Sequence, residues 1–313
     1  MGPFQASDIG KKVTIRLLDI DGYRDLVGHL TSPNTLKNRH GQIVEFDTSK
    51  IHIWREIQPV PRTATSGAPL STRIYELERA LNKTWRAKDE TLMDGWILRA
   101  DLGITKRANS ALVLSHGFQN EADLNDAIDK TIGWYRERDL IPTLHIIPTL
   151  HQLLEEKLDL RGFSDSLDAL VMVKDHKAIP VNFDYEVSDS PSQAWLAAQG
   201  DQEISELLQR TPAKYLSIKD GGKTVAVGRI GFADGWAVLS RIWVSNELRG
   251  MGLGRKILSA LEAEADLSKI ALQVASNNEV AINLYESFGY QIHHNYRFKA
   301  LPQRIDLIQD LCC

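Results

Sequence analysis

A glycine-rich turn between a strand and an amphipathic helix constrains the fold of this chain more than any other segment. The turn carries Gly250, Gly252 and Gly254, and it is flanked by Arg249 and Arg255. Without side chains at the glycines, consecutive backbone N–H groups can converge on an anion. The following helix adds the positive end of its dipole, and the arginines add charge-assisted hydrogen bonds. This junction therefore predicts a cradle for a pyrophosphate group.

The spacing of these glycines separates the turn from two better-known phosphate-binding motifs. It is G-x-G-x-G, not the G-x-G-x-x-G of dinucleotide-binding folds, and no Gly-Lys-Ser/Thr closes it as in a Walker loop. Downstream lies a second pattern, Asn278-x-x-Ala281-x-x-x-Tyr285, followed by Phe288-Gly289-Tyr290. The alternative is that the glycines serve only a tight strand–helix turn.

The two motifs, in this order, resemble those of the GNAT acetyltransferase superfamily. The resemblance implies that acetyl-CoA is the co-substrate. It also implies a set of residues that bind the coenzyme along the last strand before the turn, in the turn, and in the downstream helix: Ile242, Trp243, Val244, Arg249, Gly250, Met251, Gly252, Leu253, Gly254, Arg255, Asn278, Asn283 and Tyr285.

The same resemblance implies two catalytic roles. The N–H of Val244 would face the acetyl carbonyl and stabilise its developing negative charge, and Tyr285 would protonate the departing thiolate. The alternative for Tyr285 is an ordinary core tyrosine. No general base is visible, because the strand position where many members of the superfamily carry a carboxylate is the neutral Gln273.

The rest of the chain predicts three units in a mixed α/β (α+β) fold. Short alternating strands over residues 1–58 predict a small β-barrel, and residues 59–70 form a Pro-rich linker. Two similar α/β blocks follow, residues 71–177 and 178–313, each with a helix that runs into a Gly-aromatic pair: Gly162-Phe163 and Gly289-Tyr290. We interpret them as tandem GNAT-like halves, the first degenerate.

The first half lacks the glycine pattern. Residues 115–120 stand where its cradle would be, and they contain one glycine, a bulky Phe118 and no arginine. We therefore expect one coenzyme site per chain, in residues 178–313. Arg107, with Asn109 and Ser110, is the candidate for acceptor binding, because a guanidinium holds a carboxylate through two hydrogen bonds. The alternative for Arg107 is a surface ion pair or packing against Trp96.

Nearly the whole chain, including the segments Gly95 to Arg99 and Arg107 to Ala111, resembles an actinobacterial family of tandem GNAT proteins with a Src-homology-like N-terminal barrel. Members of that family have been proposed to be N-acetylglutamate synthases, so the resemblance implies glutamate as the acceptor. Three alternatives stay open: another small amine, including a mycothiol-type acceptor; a protein amine; and a non-catalytic acetyl-CoA sensor.

Composition excludes several other classes. The chain has 313 residues, with 37 Lys and Arg against 41 Asp and Glu, so the net charge of −4 does not favour a nucleic-acid partner. We expect no membrane span or secretory signal and therefore a cytoplasmic protein. The histidines lack metal-ligand spacing, which predicts no metal. The expected partner is a small-molecule amine, and a homo-oligomer is left open.

Overall fold

The structure is a computed structural model that describes residues 4–19, 22–38, 41–56, 68–114 and 120–302. The chain divides into two units, Met1–Ala64 and Thr65–Cys313. Residues 59–67 of the predicted linker lie outside the described residues, and its last residue, Leu70, begins the first helix. Within the described ranges, no helix is long and apolar enough to cross a membrane.

The first unit contains an antiparallel sheet of five strands in the order β4-β3-β2-β1-β5. These are β1 Lys12–Asp19, β2 Gly22–Ser32, β3 Thr35–Lys37, β4 Ile43–Glu45 and β5 Ile51–Glu56. Val13, Ile15 and Leu17 are buried while Lys12 and Arg16 are exposed, as the alternation in the sequence predicts. Closure of this sheet into a Src-homology-like barrel stays a prediction.

The second unit is built on one sheet of eleven strands. Its strands are β6 Asp89–Met93, β7 Trp96–Ala100, β8 Ala111–Val113, β9 Thr143–Ile146, β10 Ser164–Asp175, β11 Glu186–Ser188, β12 Ala213–Asp220, β13 Lys223–Ala233, β14 Trp236–Val244, β15 Lys269–Ala275 and β16 Gln291–Ala300. Its helices are α1 Leu70–Lys83, α2 Glu121–Arg136, α3 Gln152–Leu160, α4 Gln193–Gln199, α5 Ser205–Gln209, α6 Leu253–Ala263 and α7 Glu279–Ser287.

In the middle of the sheet, strands of the two predicted halves alternate, an arrangement that we call the strand exchange. The order is β11-β12-β13-β14-β15-β10-β16-β9-β8-β7-β6. The last strand of the first half, β10, therefore pairs with β15 and β16 of the second half, and β16 pairs in turn with β9. Each half also contains one parallel pair, β8 with β9 and β14 with β15. The two halves therefore share one sheet, and the predicted boundary between residues 177 and 178 stays a prediction.

Helices cover both faces of this sheet. Ile74, Leu77 and Leu81 of α1 are buried on one face, which we call the α1 face, and pack against side chains of β10, β15 and β16. On the opposite face, Ile257 and Leu261 of α6 pack with residues of β12 to β15 and with Tyr285 of α7. Neighbouring residues of β10 contribute to the two cores, Val171 to the first and Met172 to the second, as the alternation of a strand requires.

The mixed α/β fold predicted from the sequence is confirmed, but some elements were not predicted, among them β6 in the first half. Residues 236–244 form one long bent strand, β14. Helix α7 begins at Glu279, and Asn120 caps α2 by accepting a 2.9 Å hydrogen bond from Asp123 N. The elements from β11 to β13 had not been predicted. Residues 115–119, the expected remnant of a cradle, lie outside the described residues.

Candidate active site

Strands β14 and β15 separate in the middle of the sheet. Their parallel pairing covers three positions and ends at Leu239 opposite Leu272. Beyond this point β14 stays paired with β13 as far as Val244, and β15 stays paired with β10 as far as Ala275. Residues 240–244 and 273–275 thus border an opening, which we call the gap. Such an opening exposes unpaired backbone N–H and C=O groups to a ligand.

A β-bulge in β14 accounts for the separation. The pairing with β13 shifts between Val227 and Arg229, so that Gly228 lies opposite both Arg241 and Ile242. Leu239 and Ile242 consequently pack on the same face of the sheet, although a regular strand would place them on opposite faces. A bulge bends its strand and increases the local twist, which carries β14 away from β15.

The bulge places Arg241 in a left-handed conformation, with φ of 54°. A residue with a side chain reaches this region at a cost of about 1–3 kcal/mol, and the surrounding structure must hold it there. Gln199 Nε2 donates a 2.6 Å hydrogen bond to the carbonyl oxygen of Arg241. The guanidinium donates two hydrogen bonds to the carboxylate of Asp201, one of them from Nε at 2.7 Å.

The N–H of Val244 points into the gap. Ser245 N donates a 2.9 Å hydrogen bond to Val225 O on the β13 side. Because N–H groups point alternately to the two sides of a strand, the N–H of the preceding Val244 is directed away from β13. The backbone group that the sequence assigned to stabilising negative charge therefore lies on the open edge of β14.

The glycine-rich turn, residues 249–255, follows β14 directly and leads into α6. Gly250 has φ of 78° and Gly252 has φ of 81°, which explains why glycines occupy these two positions. The first N–H groups of a helix have no acceptor within the helix. Five N–H groups here have no protein acceptor among the described residues: those of Gly250, Gly252, Leu253, Gly254 and Arg255. Such a set fits an anion such as a pyrophosphate.

The side chains around this turn differ in their exposure and in whether they already contact another residue. Arg249 is exposed and has no ion-pair partner in the described part of the chain, and Met251 is 69% exposed. The guanidinium of Arg255 instead donates a 2.8 Å hydrogen bond to Ser287 Oγ and lies 4.8 Å from the centre of the Phe288 ring. Arg249 is therefore the more available of the two predicted phosphate contacts.

The helix α7 carries the remaining predicted coenzyme residues. Tyr285 is 8% exposed in the core beside α6, and burial raises the pKa of its phenol to about 12. Its hydroxyl therefore stays protonated at neutral pH. Asn278 caps the helix by accepting a 3.2 Å hydrogen bond from Ala281 N, and Asn283 is exposed. The contact of Asn278 is thus structural, whereas the side chain of Asn283 is accessible.

On the α1 face, an arginine from the first half reaches the border of the gap. Arg107 donates a 2.7 Å hydrogen bond to Oε1 of Gln273, and its guanidinium carbon lies 4.4 Å from the centre of the Trp85 ring. The aromatic partner is therefore Trp85 and not Trp96, the residue weighed from the sequence. Burial, together with the positive charges of Arg241 and Arg229, lowers the pKa of Arg107.

Two polar groups at paired positions on β13 and β14 lack partners on this face. Arg229 is fully buried, and its Nη1 has no hydrogen-bond partner among the described residues. Ser240, its partner in the strand register, is 9% exposed, and its Oγ is also unbonded within the described ranges. Unsatisfied buried groups in a site mark a place for a polar ligand or an ordered water.

Comparison with known proteins identifies the family. The family model described as "Probable histone acetyltransferase Rv0428c C-terminal" matches residues 71–299. The chain belongs to this acetyltransferase family, within the GNAT superfamily. It is 28% identical over 306 residues to the probable histone acetyltransferase Rv0428c of Mycobacterium tuberculosis, covering 93% of this chain and 94% of that protein. It is 25% identical over 252 residues to the uncharacterized N-acetyltransferase YobR of Bacillus subtilis, covering 72% and 98%.

A solved structure supports the GNAT fold independently. The GCN5-related N-acetyltransferase from Kribbella flavida superposes with a TM-score of 0.58 at 15% identity, covering 73% of this chain and 95% of that one. The GNAT fold implies acetyl-CoA as the acyl donor, which agrees with the expectation from the glycine-rich turn.

Two of the predicted acceptor residues of this GNAT protein are already hydrogen-bonded to other parts of the first half. Asn109 Oδ1 accepts hydrogen bonds from the N–H groups of Asp101 and Gly103, at 2.7 and 3.1 Å, and its Nδ2 donates to Asp101 O and Thr105 O. Ser110 Oγ accepts a 2.8 Å hydrogen bond from Arg99. Both precede β8 instead of lying on it. Of the three predicted residues, Arg107 alone borders the gap.

Proposed function

We propose that the chain transfers the acetyl group of acetyl-CoA to the amine of a small acceptor, with the coenzyme bound in the gap between β14 and β15. The observation that carries this proposal is the position of the gap beside the unbonded N–H groups of residues 250–255. In the proposed complex these N–H groups and Arg249 bind the pyrophosphate. The pantetheine arm then pairs with residues 242–244, and Asn283 lies beside it.

Acetyl-CoA supplies a thioester whose carbonyl carbon accepts the amine nitrogen, so that a C–N bond forms and the C–S bond breaks. The N–H of Val244 donates a hydrogen bond to the carbonyl oxygen as negative charge develops there. Tyr285, protonated at neutral pH, gives its proton to the departing thiolate. The acceptor amine releases its proton to solvent as the C–N bond forms, and Tyr285 takes up a proton from solvent, so that the transfer balances. No covalent intermediate with the chain is required, because amine and thioester react directly in one ternary complex.

We propose glutamate, attacking through its α-amino group, as the acceptor. A carboxylate is favoured because the positive charge of Arg229 is close enough to help lower the pKa of Arg107, and neither arginine has a carboxylate partner among the described residues. Arg107 would bind the carboxylate through its guanidinium, and Ser240 Oγ would donate to it or to the amine. The acceptor pocket would then form between the two halves, where binding sites commonly lie.

The test is release of coenzyme A from acetyl-CoA over a panel of amino acids, polyamines, cysteinyl sugars and lysine peptides. Turnover with glutamate and not with glutamine, which keeps the α-carboxylate, would support recognition of the side-chain carboxylate. Calorimetric titration of the same protein with coenzyme A should give one site per chain. Binding with no turnover for any amine would contradict the proposal and favour an acetyl-CoA sensor.

A protein amine is the second candidate, because the matching family is described as a probable histone acetyltransferase. Lysine peptides with basic neighbours are the probe that separates the two acceptors. Two positive guanidiniums beside the gap would repel such a peptide, and preferred turnover of the lysine peptides over glutamate would overturn the glutamate assignment.

A further inference from the structure

The end of helix α4 holds the bulge of β14 in place, and we propose that Gln199 and Asp201 are positioning residues for acetyl transfer. This inference rests on the proposed function of the gap. Neither residue lies on the strands that border the gap, and their effect is exerted through the backbone of Arg241.

The contacts fix both the main chain and the side chain of Arg241. Gln199 binds its carbonyl oxygen at 2.6 Å, and Asp201 accepts two hydrogen bonds from its guanidinium. The Asp201 side chain is 5% exposed and that of Arg241 26% exposed, so water competes little for this pair. A bidentate arginine–carboxylate pair is both strong and directional. The left-handed φ of 54° is therefore held by three hydrogen bonds from one short segment.

That segment is itself anchored to the sheet. Trp195 of α4 is 2% exposed, and its indole Nε1 donates a 3.1 Å hydrogen bond to Leu216 O on β12. Gly200 ends the helix in a left-handed conformation, with φ of 71°, and Asp201 N donates back to Leu196 O at 2.9 Å. Gln199 and Asp201 are thus held at defined positions above β14.

On the opposite face of the sheet, the absence of a side chain at Gly228 allows α6 to approach the bulge closely. A Cβ at Gly228, the residue opposite the bulge, would lie 2.6 Å from Leu261 Cδ1 of α6. A helix therefore packs directly against the backbone behind the bulge, while Gln199 and Asp201 hold it in front. The bulge is confined between α4 and α6.

The geometry of the bulge determines which backbone groups face the gap. Removing the extra residue would shift the register of residues 242–244 by one position, and such a shift reverses the direction of every N–H in the segment. The N–H of Val244 would then turn toward β13. Loss of the α4 contacts should therefore lower kcat, with a smaller effect on the KM for acetyl-CoA, because the pyrophosphate site at residues 249–255 is separate.

The test combines Asp201→Asn with a rescuing substitution. Asp201→Asn removes the ion pair, and a displaced bulge should reduce kcat on the order of ten- to a hundred-fold. Glycine adopts a positive φ without a side chain to hold it. Arg241→Gly should therefore retain activity, and the double variant Asp201→Asn/Arg241→Gly should recover the kcat of Arg241→Gly. The rates are measured with acetyl-CoA and the amine of the panel that turns over fastest.

The matched control is Arg210→Gln, which breaks the pair with Asp101. That pair has similar exposure, 24% and 2%, and it joins the residue after β7 to the residue after α5. It should lower the melting temperature and leave kcat unchanged.

Hydrogen exchange of the full chain gives a readout that needs no turnover. Amides of residues 238–246 should exchange faster in Asp201→Asn and Gln199→Ala, and not in Arg210→Gln. Unchanged exchange there, or a double variant as slow in turnover as Asp201→Asn, would overturn the positioning role. A wild-type chain without turnover would instead reject the proposed function alone, since the exchange result stands by itself.

Discussion

Arg107 and Gln273 lie 166 residues apart in the chain and are joined by a 2.7 Å hydrogen bond at the border of the gap. Arg107 belongs to the loop before β8, and Gln273 is the first residue of β15 beyond its pairing with β14. The neutral amide at position 273 accepts from the guanidinium without cancelling its charge. The positive charge of Arg107 therefore stays available to an acceptor carboxylate.

We expect Arg107→Ala to raise the KM of a carboxylate-bearing acceptor and to leave coenzyme A affinity unchanged. A hydrogen bond to a charged group contributes about 1.5–3 kcal/mol, so the increase in KM should be roughly ten- to a hundred-fold. Steady-state kinetics with glutamate, together with calorimetry for coenzyme A, measure the two effects separately.

Arg138→Ala is the matched control for Arg107→Ala. The Arg138 guanidinium lies 3.8 Å from the centre of the Trp134 ring, so this substitution removes an equivalent stacking contact elsewhere in the first half. It should leave the acceptor KM unchanged. Gln273→Glu should act like Arg107→Ala, because it supplies Arg107 with an internal carboxylate. An unaltered KM in both Arg107→Ala and Gln273→Glu would return Arg107 to a structural role.

Gly252→Asp should lower coenzyme A affinity ten-fold or more, which corresponds to about 1.4 kcal/mol. The substitution places a negative charge among N–H groups that would bind a pyrophosphate. Gly221→Asp is the control, because Gly221 also has a positive φ, 54°, and no atom within 4 Å of an added Cβ. Both variants carry comparable backbone strain. Equal affinities measured by calorimetry for the two variants would contradict the assignment of residues 249–255.

Tyr285→Phe should keep the fold and coenzyme binding while lowering kcat by about 10²-fold or more. Burial raises the pKa of this phenol to about 12, so the hydroxyl remains protonated and the wild-type rate should not decline up to about pH 10 through its ionisation. Tyr290→Phe is the control, since the ring of Tyr290 is 2% exposed and lies 5.9 Å from that of Tyr285. If both variants turn over like the wild type, another group protonates the thiolate.

Local features of the fold were predictable from the sequence. Gly250 and Gly252 occupy positions with positive φ, and α6 begins directly after Gly252, so a few neighbouring residues determine the turn. The apolar spacing of Ile257 and Leu261 likewise identifies the buried side of α6. Both features depend on interactions within one or two helical turns.

The strand exchange and the bulge were not predictable in this way. The position of β10 between β15 and β16 depends on pairing between residues about a hundred positions apart, and alternation indicates a face but not a partner. In β14, apolar residues precede Ser240 and follow Arg241. The alternation of polar and apolar residues therefore does not show that Leu239 and Ile242 lie on the same face of the sheet.

The polar residues of the α1 face escaped prediction for a different reason. Arginine is rarely buried, so the sequence offers no indication that Arg229 is fully enclosed. Its Nη1 and Ser240 Oγ become neighbouring unpaired groups only through the register of β13 and β14. A single sequence shows neither the pairing register of β13 and β14 nor the burial of these side chains.

Acidification should destabilise the folded chain through a buried histidine beneath α1. His145 is 1% exposed, with Nε2 3.7 Å from Glu78 Oε2, and burial lowers its pKa to about 3 despite the opposing effect of Glu78 and with a further lowering by Arg99 and His294. In the unfolded chain the pKa is about 6.5, so between these values the unfolded state binds an extra proton and stability falls as the pH falls.

Melting temperatures between about pH 7 and pH 4 should therefore decline less steeply in His145→Gln than in the wild type, whereas His29→Gln, at an exposed position, should leave the slope unchanged. Some slope should persist in His145→Gln, because burial also lowers the pKa of His293 to about 4. Equal slopes in the wild type and His145→Gln would show that protonation of His145 does not drive the loss of stability.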